Sequence, residues 1–187
     1  MSQLPSRAAA WALLCEYTAS ESLRKHALGV EAAMQAYARH YGEDEARWGL
    51  VGLLHDFDYE RYPSPEEHPR KGSEILKAHG YPEDIRYAIL CHAPYLGVER
   101  KSRMDKAILA VDELVGFITA VTLVRPSKKL ADVPVSSVKK RLKDKAFARS
   151  VNRADIALGV EELGVSLDDH IAFVLQAMLP IAEELGL

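Results

Sequence analysis

The amino-acid sequence predicts an all-α fold, and two observations support this prediction. Apolar residues recur at intervals of three and four along almost the whole chain, the spacing that places side chains on one face of a helix. No stretch alternates between polar and apolar residues for long enough to indicate a β-strand. The chain has 187 residues, 48% hydrophobic and 27% charged, which is enough to bury one core and form a single domain.

The first three predicted helices precede a proline-rich loop. Ser20 and Gly42 mark the ends of the second, because serine caps helix N-termini and glycine stops helices. The third contains the run WGLVGLL, which is so apolar that the second half of this helix should be buried on most sides. The predicted bounds are near Pro5 or Ser6 to about Tyr17, about Glu21 to Tyr41, and about Glu43 to Asp56.

Six further helices are predicted after the loop FDYERYPSPEEHP, and proline or glycine separates most of them. Pro82 opens the fifth helix, and Pro94 stops it just after His92. The sixth carries the apolar run AILAVDELVGFITAVTLV, whose only acids are Asp112 and Glu113, so one of them should lie near the core. The predicted bounds are about Pro69–His79, Pro82–His92, Arg103–Val124, Ser136–Lys143, Asn152–Leu163 and Leu167–Leu185.

Charge and cysteine content limit the classes of function to consider. The formal net charge of -3 gives no overall reason to expect a nucleic acid polymer or an anionic membrane as partner. No basic run leads into an apolar stretch, and no segment approaches the roughly 20 apolar residues that span a bilayer, so we expect a soluble cytoplasmic protein. Cys15 and Cys91 form no CxxC motif, so we expect no sulfur ligand to a metal.

Histidines and aspartates near helix ends form the most informative chemical pattern. One histidine lies in the second helix, an adjacent His-Asp pair ends the buried third helix, two later histidines lie at helix ends, and an aspartate lies in the apolar sixth helix. Imidazole and carboxylate ligands without thiolate suit iron, manganese, zinc, nickel or cobalt. The predicted metal ligands are His26, His55, Asp56, His68, His92 and Asp112.

The adjacent His55 and Asp56 restrict where a metal can lie. Neighbours on a helix differ by about 100° in direction, so both side chains reach a metal only beyond the helix end or in a distorted last turn. A carboxylate in that position can bridge two metals.

The order of these residues resembles the H…HD…D signature of the HD-domain superfamily of metal-dependent phosphohydrolases, over roughly residues 20 to 120. His68 and His92 match the additional ligands of its dinuclear members. The resemblance implies an all-α core that holds two divalent transition metals between helices, bridged by Asp56. It implies that one metal is bound by His26, His55 and Asp112, and the other by His68 and His92.

Two further features qualify this resemblance. Residues 55–58 read HDFD where the common signature is HDIG. Any property of the family that depends on the glycine of HDIG is therefore not implied for this chain. The basic segment from LVRPSKKL to VKKRLKDKAFARSVNR resembles the tail of a bacterial subgroup with no assigned reaction. We expect one domain, with an HD-like core at about 20–124 and a C-terminal helical extension at about 125–187.

Hydrolysis of a phosphate ester or anhydride, in a nucleotide or another small phosphorylated metabolite, is the reaction that such a site favours. A divalent metal lowers the pKa of water from 15.7 toward about 7, and two metals clamp the attacking and leaving oxygens. Besides Asp56, the candidate catalytic residues are Asp58, which could orient a histidine or accept a proton, and Lys71. Lys71 is the first candidate for a cation that binds the phosphate, because it lies near the start of the helix that begins at the predicted ligand His68. The other candidate cations are Arg24, Lys25, Arg70, Arg125 and Lys128.

Two other functions stay open at this point. The same ligand set also resembles that of HD-type di-iron oxygenases related to myo-inositol oxygenase. Those enzymes have a lysine near their substrate shortly after the His-Asp pair, and no lysine stands close after His55-Asp56 in this sequence. The third hypothesis is a non-catalytic regulatory module that keeps a metal for stability, and a closed pocket would favour it. The residues alone indicate no oligomeric state.

Overall fold

The computed structural model describes residues 4–187, which fold into ten α-helices and contain no β-strand. This confirms the predicted all-α fold. The helices are α1 Arg7–Tyr17, α2 Glu21–Tyr41, α3 Glu45–Leu54, α4 Arg70–Ala78, α5 Glu83–Cys91, α6 Arg103–Leu123, α7 Val135–Leu142, α8 Arg153–Leu163, α9 Leu167–Met178 and α10 Ala182–Leu185. Single 3₁₀ turns lie at Pro94–Leu96, Leu130–Asp132 and Leu179–Ile181.

Capping side chains explain where α2 and α6 begin and end. The Ser20 hydroxyl accepts a hydrogen bond from the Leu23 amide, which satisfies one of the free N–H groups of the first turn of α2. Gly42 ends α2 in the left-handed conformation, at φ +69°, which glycine adopts at little cost. Ser102 and Asp105 form a reciprocal capping box at the start of α6.

Helix α3 ends earlier than predicted, and this matters for the metal site. The prediction placed its end at about Asp56, whereas α3 ends at Leu54 and Asp56 lies in the following turn. The apolar residues Trp48–Leu54 are all buried, as predicted. His55 and Asp56 therefore lie at the end of the helix, the position from which both neighbouring side chains can reach one metal.

The prediction of one continuous helix from Leu167 to Leu185 is wrong. Helix α9 ends at Met178, a 3₁₀ turn follows, and α10 forms one further turn. Pro180 lies in this break. Proline has no amide hydrogen to donate to the carbonyl one turn earlier, and its ring clashes with that carbonyl, so the α-helix is interrupted.

Four helices form the centre of the molecule. Helix α2 packs against α3 and α6, and α5 packs against the same two helices. The C-terminal helices lie on this core, because α8 packs against α6 and α9 packs against both α2 and α6. Buried apolar side chains form one connected cluster that extends from Ala10 to Leu185.

Within the described residues, no single helix has the length and apolar character needed to cross a membrane. The segments Arg153–Leu163 and Leu167–Leu185 meet the length and composition criteria only when they are combined across a bend of 99°.

Candidate metal centre

The structure brings all six predicted ligands together between α2, α3, α5 and α6. Two of them lie within helices, one on α2 and one on α6. The other four lie at or just beyond helix ends: after α3, before α4 and after α5. The six residues are His26, His55, Asp56, His68, His92 and Asp112.

These side chains form two groups that share Asp56, and within each group the ligand atoms lie within 4.8 Å of one another. In the first group, Asp112 Oδ1 lies 2.9 Å from His26 Nε2 and 3.3 Å from His55 Nε2. His55 Nε2 also lies 3.5 Å from Asp56 Oδ2. The other oxygen, Asp56 Oδ1, faces the second group, at 3.1 Å from His68 Nε2 and 3.2 Å from His92 Nε2.

Hydrogen bonds fix the orientation of three of the histidine rings. His55 donates from Nδ1 to the Gly52 carbonyl at 2.7 Å. His92 donates from Nδ1 to the Ile89 carbonyl at 2.5 Å. His68 donates from Nδ1 to Asp58 Oδ1 at 2.9 Å. A proton on Nδ1 leaves a lone pair on Nε2 of a neutral imidazole, so all three rings present a lone pair toward Asp56.

This arrangement of lone pairs fits bound cations. His68 Nε2 and His92 Nε2 lie 3.2 Å apart, and both face the same oxygen of Asp56. Buried His55 Nε2 finds no hydrogen-bond partner anywhere in residues 4–187. Such unpartnered buried atoms are costly, and a divalent metal with nitrogen and oxygen ligands satisfies them. The residues present therefore fit the metals that the resemblance implies.

The electrostatics of the group favour positive charge at its centre. Burial opposes charge on His68, but hydrogen bonds to Asp56 and Asp58 outweigh burial and raise the pKa of His68 to about 9. Burial likewise opposes charge on Asp112, but His55 and His26 hold the pKa of Asp112 below its usual range. Carboxylates that stay ionised beside imidazoles attract a proton or, in its place, a metal ion.

The comparison with protein families supports the same interpretation. Residues 23–114 match the family model described as the HD domain. This match identifies residues 23–114 as an HD domain. HD domains bind divalent metals, and the superfamily consists generally of metal-dependent phosphohydrolases. The comparisons with curated proteins and with solved structures gave no match.

The HD domain includes a buried carboxylate behind the second ligand group. Asp58 is fully buried, and its second oxygen accepts a hydrogen bond from the Gly72 amide at 2.8 Å. A Cβ at Gly72 would lie 2.8 Å from Asp58 Cγ, so glycine leaves the room that this contact needs. Of the two roles predicted for Asp58, the geometry supports the one in which it orients His68.

The predicted cations are not gathered at the ligands. Lys71 extends along the surface and pairs with Glu74 at 3.1 Å, so the structure does not bring it to the pocket that the ligands line. Arg24 donates to the main-chain carbonyls of Cys15 and Thr18, and Arg125 donates to Ser137. Arg70 is exposed, and its charge acts on Tyr95, which lines the pocket.

A pocket of about 340 Å³ lies over the ligands, and sequence reasoning missed most of its other lining residues. Tyr59 and Tyr95 are 42% and 56% exposed, so the rim of the pocket reaches solvent. Tyr59 follows the ligand Asp56 by three positions, and Tyr95 follows the ligand His92 by three. This spacing in the sequence could have indicated that both tyrosines lie near the metal site. Asp155 on α8 also lines the pocket, and only the packing of α8 on α6 reveals its position.

Glu113 lines this pocket together with its neighbour Asp112. The sequence predicted that one of these two acids lies near the core, and the structure places both at the site. Burial and the charge of Asp112 raise the pKa of Glu113 to about 7, while its carboxylate accepts a hydrogen bond from the Asn152 amide at 3.1 Å.

Proposed function

We propose that this HD-domain protein hydrolyses a phosphate ester or anhydride of a nucleotide or another small phosphorylated metabolite, using water activated by bound divalent metal. One observation supports this proposal above the others. The two oxygens of Asp56 face two separate groups of imidazoles and carboxylate, which is the arrangement a dinuclear site needs. His26, His55 and Asp112 would hold one metal, and His68 and His92 would hold the other.

Metals bound there would lower the pKa of water toward about 7 and neutralise charge on the phosphate. The residues of the chain contribute by holding the ligand rings in place. Gly52, Asp58 and Ile89 each accept a hydrogen bond from the Nδ1 of one ligand histidine. Ligands held in this way need little rearrangement when metal or substrate binds.

The open pocket supports an enzyme more than a closed regulatory module. Its rim carries two exposed tyrosines, and Tyr95 is held by a hydrogen bond from its hydroxyl to the His68 carbonyl at 2.9 Å. Burial and the carboxylates Asp56 and Asp58 raise the pKa of Tyr95, and the nearby positive charge of Arg70 opposes this rise. Neither Arg70 nor Lys71 lines the pocket, but Lys71 pairs with Glu74 whereas the charge of Arg70 acts on Tyr95 at the rim, so we infer that Arg70 is the cation that meets phosphate oxygens there.

The direct test is release of inorganic phosphate from a panel of nucleotides and simple phosphate monoesters. The protein is stripped with chelator and reloaded with manganese, iron, nickel, cobalt or zinc. We expect metal-dependent release by the wild type and a loss of at least a thousandfold in Asp56→Ala. Asp132→Ala, an exposed aspartate in a 3₁₀ turn, is the matched control and should keep wild-type activity. Equal activity in Asp56→Ala and wild type would overturn the proposal.

A further inference from the structure

A second cavity of about 850 Å³ lies beside the metal pocket. The two cavities share His26 and Gly116 in their walls, so they adjoin at these residues. We call the second cavity the side chamber. The remaining residues of its lining are Glu21, Ser22, Lys25, Thr119, Ala120, Leu123, Ala148, Ser150, Val151, Leu185, Gly186 and Leu187.

The junction between the cavities lies where α6 carries a glycine. A Cβ added at Gly116 would meet only the His26 ring, at 3.8 Å, which is an ordinary van der Waals contact. Glycine at this position therefore leaves the His26 ring, and no side chain from residue 116, between the two cavities.

Six of the fourteen residues that line the chamber have aliphatic side chains, and its one lysine and one glutamate balance in charge. Leu123 is 47% exposed although it is a large apolar residue, and Ala120 and Val151 lie in the same lining. Lys25 and Glu21 pair with each other at 2.9 Å. Apart from the shared His26, no described lining residue has an aromatic ring on which a nucleobase could stack.

The basic segment that sequence analysis singled out builds one wall of this chamber. Arg153 donates to the carbonyls of Leu142, Asp144, Phe147, Ala148 and Val151. Its guanidinium also stacks over the Phe117 ring on α6, at 5.1 Å from the centroid. This cation is used internally, and it fixes the loop so that Ala148 and Val151 face the chamber.

We propose that the side chamber binds the organic part of the substrate and selects phosphate esters that carry an aliphatic chain. This inference rests on the proposed function. A chain that enters past Gly116 covers the exposed side of Leu123 and removes its own methylenes from water. Each buried methylene should raise kcat/KM about two- to fourfold, the upper figure being the equivalent of about 0.8 kcal/mol.

The test measures kcat/KM of the manganese-loaded protein for ethyl, butyl, hexyl and octyl phosphate. We expect at least a tenfold rise from ethyl to hexyl phosphate in the wild type. Ala120→Leu fills the chamber and Leu123→Asn makes it polar, so both should flatten the dependence on chain length. Ala46→Leu, an exposed position on α3 in a different depression, is the matched control and should keep the steep dependence.

Equal values for ethyl and hexyl phosphate in the wild type would overturn the inference, as would an unchanged dependence on chain length in both chamber variants. Faster hydrolysis of a nucleoside monophosphate than of hexyl phosphate would overturn it as well. Binding of ethylphosphonate and hexylphosphonate, measured by calorimetry, separates the two proposals. If hexylphosphonate binds at least tenfold more tightly but no ester is hydrolysed, the side chamber is supported and the hydrolase function fails.

Discussion

His68 donates a hydrogen bond from Nδ1 to the fully buried carboxylate of Asp58, 2.9 Å away, while its other nitrogen faces Asp56. The second oxygen of Asp58 is occupied by the Gly72 amide. Asp58 therefore has two donors and no free oxygen, and it fixes both the tautomer and the orientation of one ligand ring.

Replacement of Asp58 by asparagine should weaken the second ligand group selectively. The amide has one oxygen for two donors, so its NH₂ group would face either His68 Nδ1–H or the Gly72 amide. We expect metal affinity at the group of His68 and His92 to fall about 10- to 100-fold, with a much smaller change at the other group. Metal titration by calorimetry measures both. Equal losses at both groups, or no loss, would contradict the orienting role, and Asp132→Asn is the exposed control.

The metal-free protein should become less stable as pH rises from about 6.5 to 9. Burial opposes charge on His68, but Asp56 and Asp58 raise its pKa to about 9 in the folded protein, above the usual value near 6.5. Between these pH values the folded state binds more protons than the unfolded state, so the free energy of unfolding falls with pH. Denaturant titrations after chelator treatment measure this free energy.

His68→Gln should reduce this pH dependence, because glutamine does not titrate. Burial opposes charge on His55, but Asp56 and Asp112 raise its pKa, so His55 contributes the remainder. Metal binding requires neutral imidazole, so the apparent metal affinity of the wild type should rise over the same pH range. A free energy of unfolding that increases between pH 6.5 and 9 in the metal-free wild type would contradict the assignment of the bound proton.

Gly52→Ala should destabilise the fold, whereas Gly49→Ala on the same helix should not. A Cβ at Gly52 would lie 2.8 Å from the Glu31 backbone, which has no room to move away. At Gly49 the nearest atoms, at 2.7 Å, belong to the flexible Gln35 side chain. We expect a loss of about 1–3 kcal/mol at Gly52 from overpacking, measured by chemical denaturation. Similar stability of the two variants would show that α2 and α3 do not approach as closely as described.

Arg153→Met should loosen the wall of the side chamber without unfolding the core. The variant keeps an aliphatic stem over Phe117 but loses the donors that bind five main-chain carbonyls. Amide hydrogen exchange in residues 143–152 should become at least tenfold faster, because these partly buried carbonyls lose the donors that hold the loop in place. Arg149→Met, a change of the same type at an exposed position, should leave exchange unchanged. Slow exchange in Arg153→Met would contradict the anchoring role.

Local signals in the sequence predicted much of this structure. Serine caps and glycine stops define helix bounds within a few neighbouring residues, so the predicted and observed bounds of α2 agree. The break at Pro180 was missed because the apolar periodicity continues across it, although proline alone was sufficient reason to expect it.

Part of the candidate site was likewise predictable from the sequence, and part depends on how the helices pack. The six ligands carry a recognisable order along the chain, and the structure brings them together. Sequence spacing near a helix start does not show that Lys71 pairs with Glu74 while the charge of Arg70 acts on Tyr95. Asp155 contributes through the packing of α8 on α6, a long-range contact that no local pattern encodes.

The central claim is that Asp56 joins two metal-binding groups, and metal content per chain tests it most directly. Elemental analysis of untagged protein, purified with and without air, compares wild type with Asp56→Ala and His68→Ala. We expect two metals per chain in the wild type, loss of both in Asp56→Ala, and loss of one in His68→Ala, with the helical content retained. Iron that changes redox state in air would favour the oxygenase over the hydrolase. Wild-type metal content in Asp56→Ala would contradict the account.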